Sequence, residues 1–278
     1  MRITAKASSL INARGTARDG AESFEFQIMK GQPIDYEEID EICGILPITS
    51  VHTLLGEHTD ICLDDLSSSE FALSEFLKTM KLADHLSREQ RFPVKLVLHA
   101  STNEVTDDTA TIVSQAMKLS NVILLIENTG RHPNEGNGNA LPDATPGIIR
   151  KLRAMCPDVD PERFGTVLDT CHAMVALREH APEDEYSIED FFREHGRDCR
   201  IIHFANSRMP DEGSNHGCGF DTADEKRLAG MLYDMAKKYT PQADLVLEVA
   251  ESDYTNAVNF RNTAAFVRKC EGKYDTAD

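Results

Sequence analysis

Short apolar runs rich in β-branched residues recur along the whole chain, and stretches with helical spacing of apolar residues separate most of them. These runs predict eight strands, at residues 2–7, 23–28, 48–52, 95–99, 122–127, 166–169, 200–204 and 244–248. The helical spacing predicts helices at residues 36–43, 67–86, 107–119, 145–155, 187–194, 224–239 and 256–269. Most strands are nearly continuous apolar runs, so we expect them to be buried on both faces of a parallel sheet.

This alternation of strands and helices over 278 residues predicts an α/β fold, a single (β/α)8 TIM barrel that spans residues 1–278. An open doubly wound sheet is the rival architecture. The first strand is not followed by the G-x-G-x-x-G pattern that dinucleotide-binding sheets of that kind carry, and this favours the barrel.

Side chains that can bind a metal fall at or near the C-terminal ends of six predicted strands. They are His52, His99, Glu127, Asp169, His203 and Glu248. His172 follows the sixth strand, and His216 lies in the loop after the seventh. A single strand-end histidine is more often structural. In a barrel, however, these ends face the active site, so the set predicts a divalent-metal site there.

The composition disfavours several classes of partner and indicates the compartment in which we expect the protein. The net charge of −18 argues against broad contact with nucleic acid or an anionic membrane. No apolar run approaches the roughly 20 residues of a membrane span, and the first residues lack a signal-peptide pattern. Seven cysteines without C-x-x-C spacing indicate free thiols, so we expect a cytoplasmic protein. Cys171 is interpreted as a buried structural thiol, and the irregular loop 130–146 as an active-site loop.

Seven segments resemble, in order, the xylose isomerase-like superfamily of metal-dependent barrels, and within it the endonuclease IV branch (AP endonuclease family 2). Asp-Thr-Cys-His is the most specific of them. The segments are Val51-His52, Leu98-His99, Ile126-Glu127-Asn128-Thr129-Gly130, Leu168-Asp169-Thr170-Cys171-His172, His203-Phe204-Ala205-Asn206-Ser207, His216-Gly217-Cys218-Gly219 and Leu247-Glu248.

The resemblance implies a hydrolase that cleaves a phosphodiester, in that branch at abasic DNA sites, with a water activated at a cluster of two or three zinc ions. It assigns the ligands to three ions: to the first His52, His99 and Glu127, to the second Glu127, Asp169, His203 and Glu248, and to the third His172 and His216. Metals a few ångströms apart can clamp a phosphate and ionise a water, and Glu127 would be the bridging carboxylate.

Three positions depart from the endonuclease pattern. Ser214 stands where the branch has an aspartate ligand of the third ion, and Leu55 stands where it has a tyrosine that wedges into DNA. The segment 30–33 lacks the arginine and aromatic residues that penetrate the duplex there. With the acidic net charge, these departures disfavour damaged DNA as the partner and favour a small phosphorylated or sugar substrate.

A second hypothesis from the same superfamily is a sugar or sugar-phosphate isomerase or epimerase. It would use one Mn²⁺ or Mg²⁺ ion, with Glu127 and Glu248 as the acid/base pair. The predicted substrate-binding residues are His172, Arg208, Asn128 and Asn206. A third hypothesis is a barrel that only binds a ligand. The sequence leaves these alternatives open, and it makes no prediction of oligomeric state.

Overall fold

Eight parallel strands close into a barrel in which each strand pairs with the next and the eighth pairs with the first. A computed structural model describes residues 1–55, 61–129, 141–180, 186–207, 217 and 219–274. Helices lie between the strands, so the predicted (β/α)8 TIM barrel is confirmed.

The strands are β1 Ile3–Ala7, β2 Ser23–Met29, β3 Ile48–Leu55, β4 Val94–His99, β5 Val122–Glu127, β6 Phe164–Asp169, β7 Cys199–Phe204 and β8 Asp244–Leu247. The helices are α1 Leu10–Arg18, α2 Tyr36–Ile45, α3 Glu70–Gln90, α4 Asp107–Lys118, α5 Ala144–Met155, α6 Thr170–His180, α7 Ile188–His195, α8 Ala223–Tyr239 and α9 Val258–Tyr274. Among these described residues, no helix is long and apolar enough to cross a membrane.

Strand positions agree closely with the prediction, and the differences have local causes. β3 continues three residues past His52, so that residue lies inside the strand and not at its end. Helices α1 and α6 were not predicted. α1 is short and mostly polar, and α6 follows β6 without an intervening loop, so neither has a clear boundary in the sequence.

The apolar core has two parts. The larger part lies between the barrel wall and the helices, and its largest fully buried side chains include Phe76, Phe192 and Tyr233. A smaller cluster consists of Val97, Leu125, Val167, Ile201 and Val246. Because these five residues share the inward parity of their strands, they fill the middle of the barrel. The barrel is therefore a packed core that supports its two ends.

An ion pair closes the N-terminal end of the barrel interior. Lys95 on β4 contacts Asp244 on β8, and Arg2 Nε lies 3.3 Å from the other carboxylate oxygen of Asp244. We call Lys95 and Asp244 the basal pair, and Arg2 lies beside it. Lys95 and Asp244 are mostly buried, whereas Arg2 is half exposed, so the buried charges are matched.

Candidate metal centre

At the C-terminal end of the barrel, each of the first seven strands contributes one ionisable side chain to a polar ring, and the residue directly after β8 contributes the eighth. The polar ring comprises Lys6, Glu25, His52, His99, Glu127, Asp169, His203 and Glu248. Strand register places them together: Lys6 is opposite Glu25, His99 opposite Glu127, and Asp169 opposite His203. Lys6 and Glu248 each follow directly after the pair Ala5 and Leu247, and the other four neighbouring pairs are offset by two residues, as the stagger of a closed barrel requires.

Glu127 occupies the centre of the polar ring and divides its two oxygens between two groups of histidines. Oε2 lies 3.1 Å from His52 Nε2 and 3.3 Å from His99 Nε2. Oε1 lies 3.1 Å from His203 Nδ1 and 3.4 Å from His172 Nδ1. The carboxylate is almost fully buried, with a side-chain exposure of 2%. Each oxygen therefore faces its own pair of histidines.

The second set extends across β6, β7 and β8. His203 Nδ1 lies 3.2 Å from Glu248 Oε2 and 3.8 Å from Asp169 Oδ2, in addition to Glu127. Three groups within the described residues have ligand atoms close enough to share an ion: His52–Glu127–His203, Glu127–Asp169–His172 and Asp169–His203–Glu248. Since His203 Nδ1 can bind only one ion, the first and third of these groups cannot use it simultaneously.

The tautomer of His52 is fixed by the main chain. His52 Nδ1 lies 3.0 Å from the carbonyl oxygen of Thr53, which can only accept, so Nδ1 carries the proton. A neutral His52 then turns the lone pair of Nε2 towards the Glu127 carboxylate, and only a cation or a proton between them relieves the repulsion. Burial lowers the pKa of His52 despite its contact with Glu127, which disfavours the proton.

His172 and Asp169 are positioned by the direct passage from β6 into α6. The His172 backbone N–H donates to Asp169 Oδ1 at 2.6 Å, which caps the first turn of the helix. His172 Nδ1 donates to the Asn128 carbonyl at 2.9 Å, so Nε2 is the ring nitrogen that can bind a metal or a substrate. The strand–helix junction therefore brings a carboxylate and an imidazole to the edge of the polar ring together.

Residues of the segment after β3 contact His99 and the residues that follow it. Cys62 pairs with His99 in a parallel bridge beyond the end of β3. Two residues later, the Asp64 carboxylate accepts the Ser101 backbone N–H at 2.8 Å. These contacts tie the segment after β3 to the end of β4, and so they limit the movement of His99.

Lys6 and Glu25 belong to the polar ring but were not predicted. Glu25 Oε1 lies 3.0 Å from His203 Nε2, and Lys6 Nζ lies 2.6 Å from Glu248 Oε1. The sequence carried little signal for Glu25, because Ser23, Glu25 and Gln27 alternate with apolar residues as on a strand with one solvated face. Lys6 gave a clearer signal, as the single charged residue of Ile3–Ala7. The search for ligands at strand ends overlooked them, since both lie before the last residue of their strands.

The charges of the polar ring perturb one another. Although burial raises the pKa of Glu127, the neighbouring His203 and His99 hold it well below its usual range. Burial also raises the pKa of Glu25, but His203 and Lys6 bring it down to about 2. Burial lowers the pKa of His203, yet Glu127 and Glu25 raise it well above its usual value. Four carboxylates and one ammonium leave an excess of three negative charges when the imidazoles are neutral.

These donors fit a divalent metal. Two atoms that bind one ion at about 2.1 Å lie roughly 3.0–3.4 Å apart, depending on the angle at the metal. The distances from Glu127 to His52, His99 and His203 fall in this range. The donor set of imidazole nitrogens and carboxylate oxygens also suits zinc and similar ions.

The predicted substrate-binding asparagines make structural hydrogen bonds. Asn128 exchanges bonds with the Asp169 backbone, donating to its carbonyl at 3.1 Å and accepting its N–H at 2.6 Å. Asn206 Nδ2 donates to the Gly219 carbonyl and to Glu225. Their role in substrate binding stays a prediction. Arg208, Ser214, His216 and the loop 130–140 lie outside the described residues, as does the side chain of Leu55.

A sequence model of the xylose isomerase-like TIM barrel family matches residues 15–270. The chain belongs to this family. The predicted superfamily is therefore confirmed. Members of the family are mostly enzymes and generally bind divalent metals. No curated protein matches the chain in sequence.

Several solved structures resemble the barrel at low sequence identity. An AP endonuclease of family 2 from Brucella melitensis is 13% identical, with a TM-score of 0.61 over 96% of this chain and 98% of its own. A xylose isomerase-like barrel from Mycobacterium smegmatis in complex with magnesium is 12% identical, with a TM-score of 0.58 over 98% and 97%. A D-allulose 3-epimerase from a Methylomonas species is 11% identical, with a TM-score of 0.57 over 98% and 97%. Identities this low support the fold alone.

Proposed function

We propose that this family member is a metal-dependent hydrolase that cleaves a small phosphodiester at a pair of divalent ions. The division of the Glu127 oxygens between two histidine sets carries the proposal. A carboxylate that bridges two ions needs this arrangement, with each oxygen facing its own ligands. A site for one ion would leave His52 and His99 without a function.

We assign the ligands to two groups, one for each oxygen of Glu127. His52 and His99 would hold one ion with Glu127 Oε2. Asp169, His203 and Glu248 would hold the other with Glu127 Oε1. When bound, such a pair supplies charge stabilisation for a phosphate and a nucleophilic water at neutral pH. His172, at the edge of the ring, would contact a third ion or the substrate through Nε2.

The charge of the polar ring also favours two ions for an anionic substrate. With neutral imidazoles, its excess of three negative charges would fall to one with a single divalent ion and would become a net positive charge with two. A phosphodiester is repelled by a negative site and attracted to a positive one. Binding of a phosphate ester therefore requires that both ligand groups be filled.

Overall charge favours a small substrate over duplex DNA. The chain carries a net charge of −18, and long-range repulsion would oppose the approach of a polyanion. The segment 30–33 after β2 offers Lys30 but no arginine or aromatic residue for insertion between bases. A short phosphodiester meets only the local field of the ring.

Metal content and hydrolysis test the proposal together. Protein purified without chelator should contain two ions per chain by mass spectrometry, and His52→Ala should lose one. Hydrolysis of bis(p-nitrophenyl) phosphate should require both ions. Asp244→Asn is the matched control, because it removes a carboxylate from the opposite end of the barrel and should retain both ions. Protein that takes up no metal on titration would overturn the proposal.

A sugar epimerase or isomerase is the second candidate, and one observation favours it. Glu127 Oε1 and Glu248 Oε2 both lie within 3.2 Å of His203 Nδ1, so two carboxylates converge as an acid/base pair would. This function needs a single ion. One Mn²⁺ or Mg²⁺ per chain, unaffected by His52→Ala and lost in Glu127→Gln, would replace the hydrolase proposal with this one.

A further inference from the structure

The imidazole ring of His203 lies between carboxylates on both sides. Its Nδ1 faces Glu127 Oε1 at 3.1 Å and Glu248 Oε2 at 3.2 Å. Its Nε2 points the other way and lies 3.0 Å from Glu25 Oε1. The side chains of Glu25 and His203 are both 0% exposed, so water does not compete for this contact. Glu25 thus faces the ring nitrogen that points away from the other carboxylates.

A histidine binds a metal through a lone pair, so its proton must reside on the other ring nitrogen. A partner that accepts this proton fixes the tautomer and the ring orientation, and a carboxylate partner also makes the ligating nitrogen more basic. Main-chain carbonyls of Thr53 and Asn128 supply such partners for His52 and His172. For His203, the group in the corresponding place is the Glu25 side chain.

Glu25 is itself held so that one oxygen is left for His203. Ser50 Oγ donates to Glu25 Oε2 at 3.0 Å, across the pairing of β2 with β3. Lys6 Nζ lies 3.7 Å from Oε1, too far for a hydrogen bond. Within the described part of the chain, neither Glu25 Oε1 nor His203 Nε2 has a hydrogen bond of good angle to any group. The two atoms lie 3.0 Å apart, which is within hydrogen-bond distance.

We propose that Glu25 is a positioning residue of the metal centre, whose carboxylate accepts the Nε2 proton of His203 and so presents Nδ1 as the metal ligand. The inference rests on the metal site of the proposed function but not on its substrate. Glu25 acts through His203, so its loss weakens metal binding without removing a ligand. The negative charge of Glu25 also makes Nδ1 of His203 more basic and therefore a stronger metal ligand.

Cobalt binding to metal-free protein tests this role. In Glu25→Ala, the dissociation constant for Co²⁺ should rise about 10- to 100-fold, the usual effect of losing such a partner. The visible absorption of bound Co²⁺ should also change, because His203 no longer has a fixed orientation. Glu25→Gln keeps an amide oxygen that can accept from Nε2–H, so it should restore part of the affinity. Ser50→Ala should have the smallest effect.

Two controls separate positioning from general damage. Asp244→Asn alters a carboxylate at the opposite end of the same barrel interior, where Asp244 contacts Lys95, and it should bind Co²⁺ with the wild-type affinity and spectrum. Circular dichroism of each metal-free variant establishes that it folds. If Glu25→Ala does not fold, wild-type Co²⁺ affinity in both Glu25→Gln and Ser50→Ala overturns the inference.

The remaining outcomes distinguish this inference from the proposed function. Wild-type affinity and spectrum in a folded Glu25→Ala protein would refute the positioning role and leave the metal centre intact. Wild-type protein that binds no Co²⁺ would refute both. A weakened dissociation constant with an altered spectrum, partly restored by Glu25→Gln, supports the role of Glu25.

Discussion

The two ends of the barrel interior both contain charged side chains, but they balance them differently. At the N-terminal end, Lys95 and Asp244 neutralise each other beneath the apolar cluster. At the C-terminal end, the polar ring sets four carboxylates against Lys6, with three histidines among them. The same scaffold thus encloses a matched pair at one end and an unmatched set at the other.

The difference separates structural charge from functional charge. A matched buried pair is consistent with a stable chain in the absence of any ligand. An unmatched set of carboxylates is costly, and such a cost persists where a bound cation compensates for it. The comparison predicts that changes at the polar ring affect metal binding, whereas changes at the basal pair affect stability alone.

Metal removal should give the largest effect. An ion that binds only the folded chain stabilises it by about 4 kcal/mol when its concentration is a thousand times its dissociation constant. Chelation should therefore lower the melting temperature of the wild-type protein, measured by differential scanning calorimetry. The same chelation should lower the melting temperature of Asp244→Asn by a similar amount. An unchanged wild-type melting temperature would argue against metal binding at the polar ring.

Glu127→Gln should give the second largest effect, a loss of metal affinity. The amide keeps the volume of the side chain but lacks the charge that two ion sites share, so metal affinity should fall by more than the roughly 100-fold expected for an outer partner. Isothermal titration calorimetry with Zn²⁺ measures this loss. Folding of the metal-free variant should persist, because the glutamine side chain can still form hydrogen bonds with His52 and His203. Retained affinity would show that Glu127 is not a ligand.

Asp244→Asn should lower the stability of the metal-free protein and leave its zinc affinity unchanged. It leaves the Lys95 ammonium mostly buried without its counter-charge, so the free energy of unfolding should fall by about 2 kcal/mol. Urea denaturation of metal-free protein measures this change. Zinc affinity should equal that of the wild type. A parallel loss of zinc affinity would mean that the two ends of the barrel are coupled.

The pH dependence of stability should give the smallest effect near neutral pH, and the effect should grow as the pH falls. His195, at the end of α7, is buried against Thr166 Oγ1 at 2.9 Å. Burial lowers its pKa to about 3. The folded chain therefore binds this proton less readily than the unfolded chain does. The stability contributed by neutral His195 is present above about pH 6.5 and falls by at most about 1.4 kcal/mol per pH unit below it.

A non-titrating His195→Gln variant isolates this contribution. Between pH 6.5 and 5, its free energy of unfolding should depend less on pH than that of the wild type, as measured by urea denaturation. The comparison uses the slope of the unfolding free energy against pH. Any loss of free energy from the altered contact with Thr166 that is the same at every pH therefore cancels. Equal slopes would show that His195 is not responsible for acid sensitivity in this range.

Much of the fold and of the candidate metal centre could be predicted from sequence, because both depend on simple periodicity. Eight apolar runs gave the strands, and a metal-binding residue near six of their ends gave six members of the polar ring. Glu25 and Lys6 escaped because their inward orientation depends on strand register, which a single sequence does not reveal. The partners of Asn128 likewise depend on how β5 meets β6.

Helix α1 shows a different limit of sequence analysis. Gly15 lies in its interior, where glycine disfavours a helix, and this weakens the helical signal. A Cβ at this position would lie 1.9 Å from the carbonyl oxygen of Tyr254. The glycine permits a close approach between segments 239 residues apart in the chain, and local propensity contains no information about such a contact.

The main-chain partners of His52 and His172 have a consequence for how this centre can diversify. A point substitution can delete a side chain, but it cannot delete the carbonyl of Thr53 or of Asn128. The orientation of these two imidazoles is thus inherited with the backbone and survives sequence drift. The His203 imidazole lies against the Glu25 side chain and has no such protection, so a single codon change at Glu25 can alter its orientation. Substitution of Glu25 is therefore the simplest route by which the site could adapt to another metal.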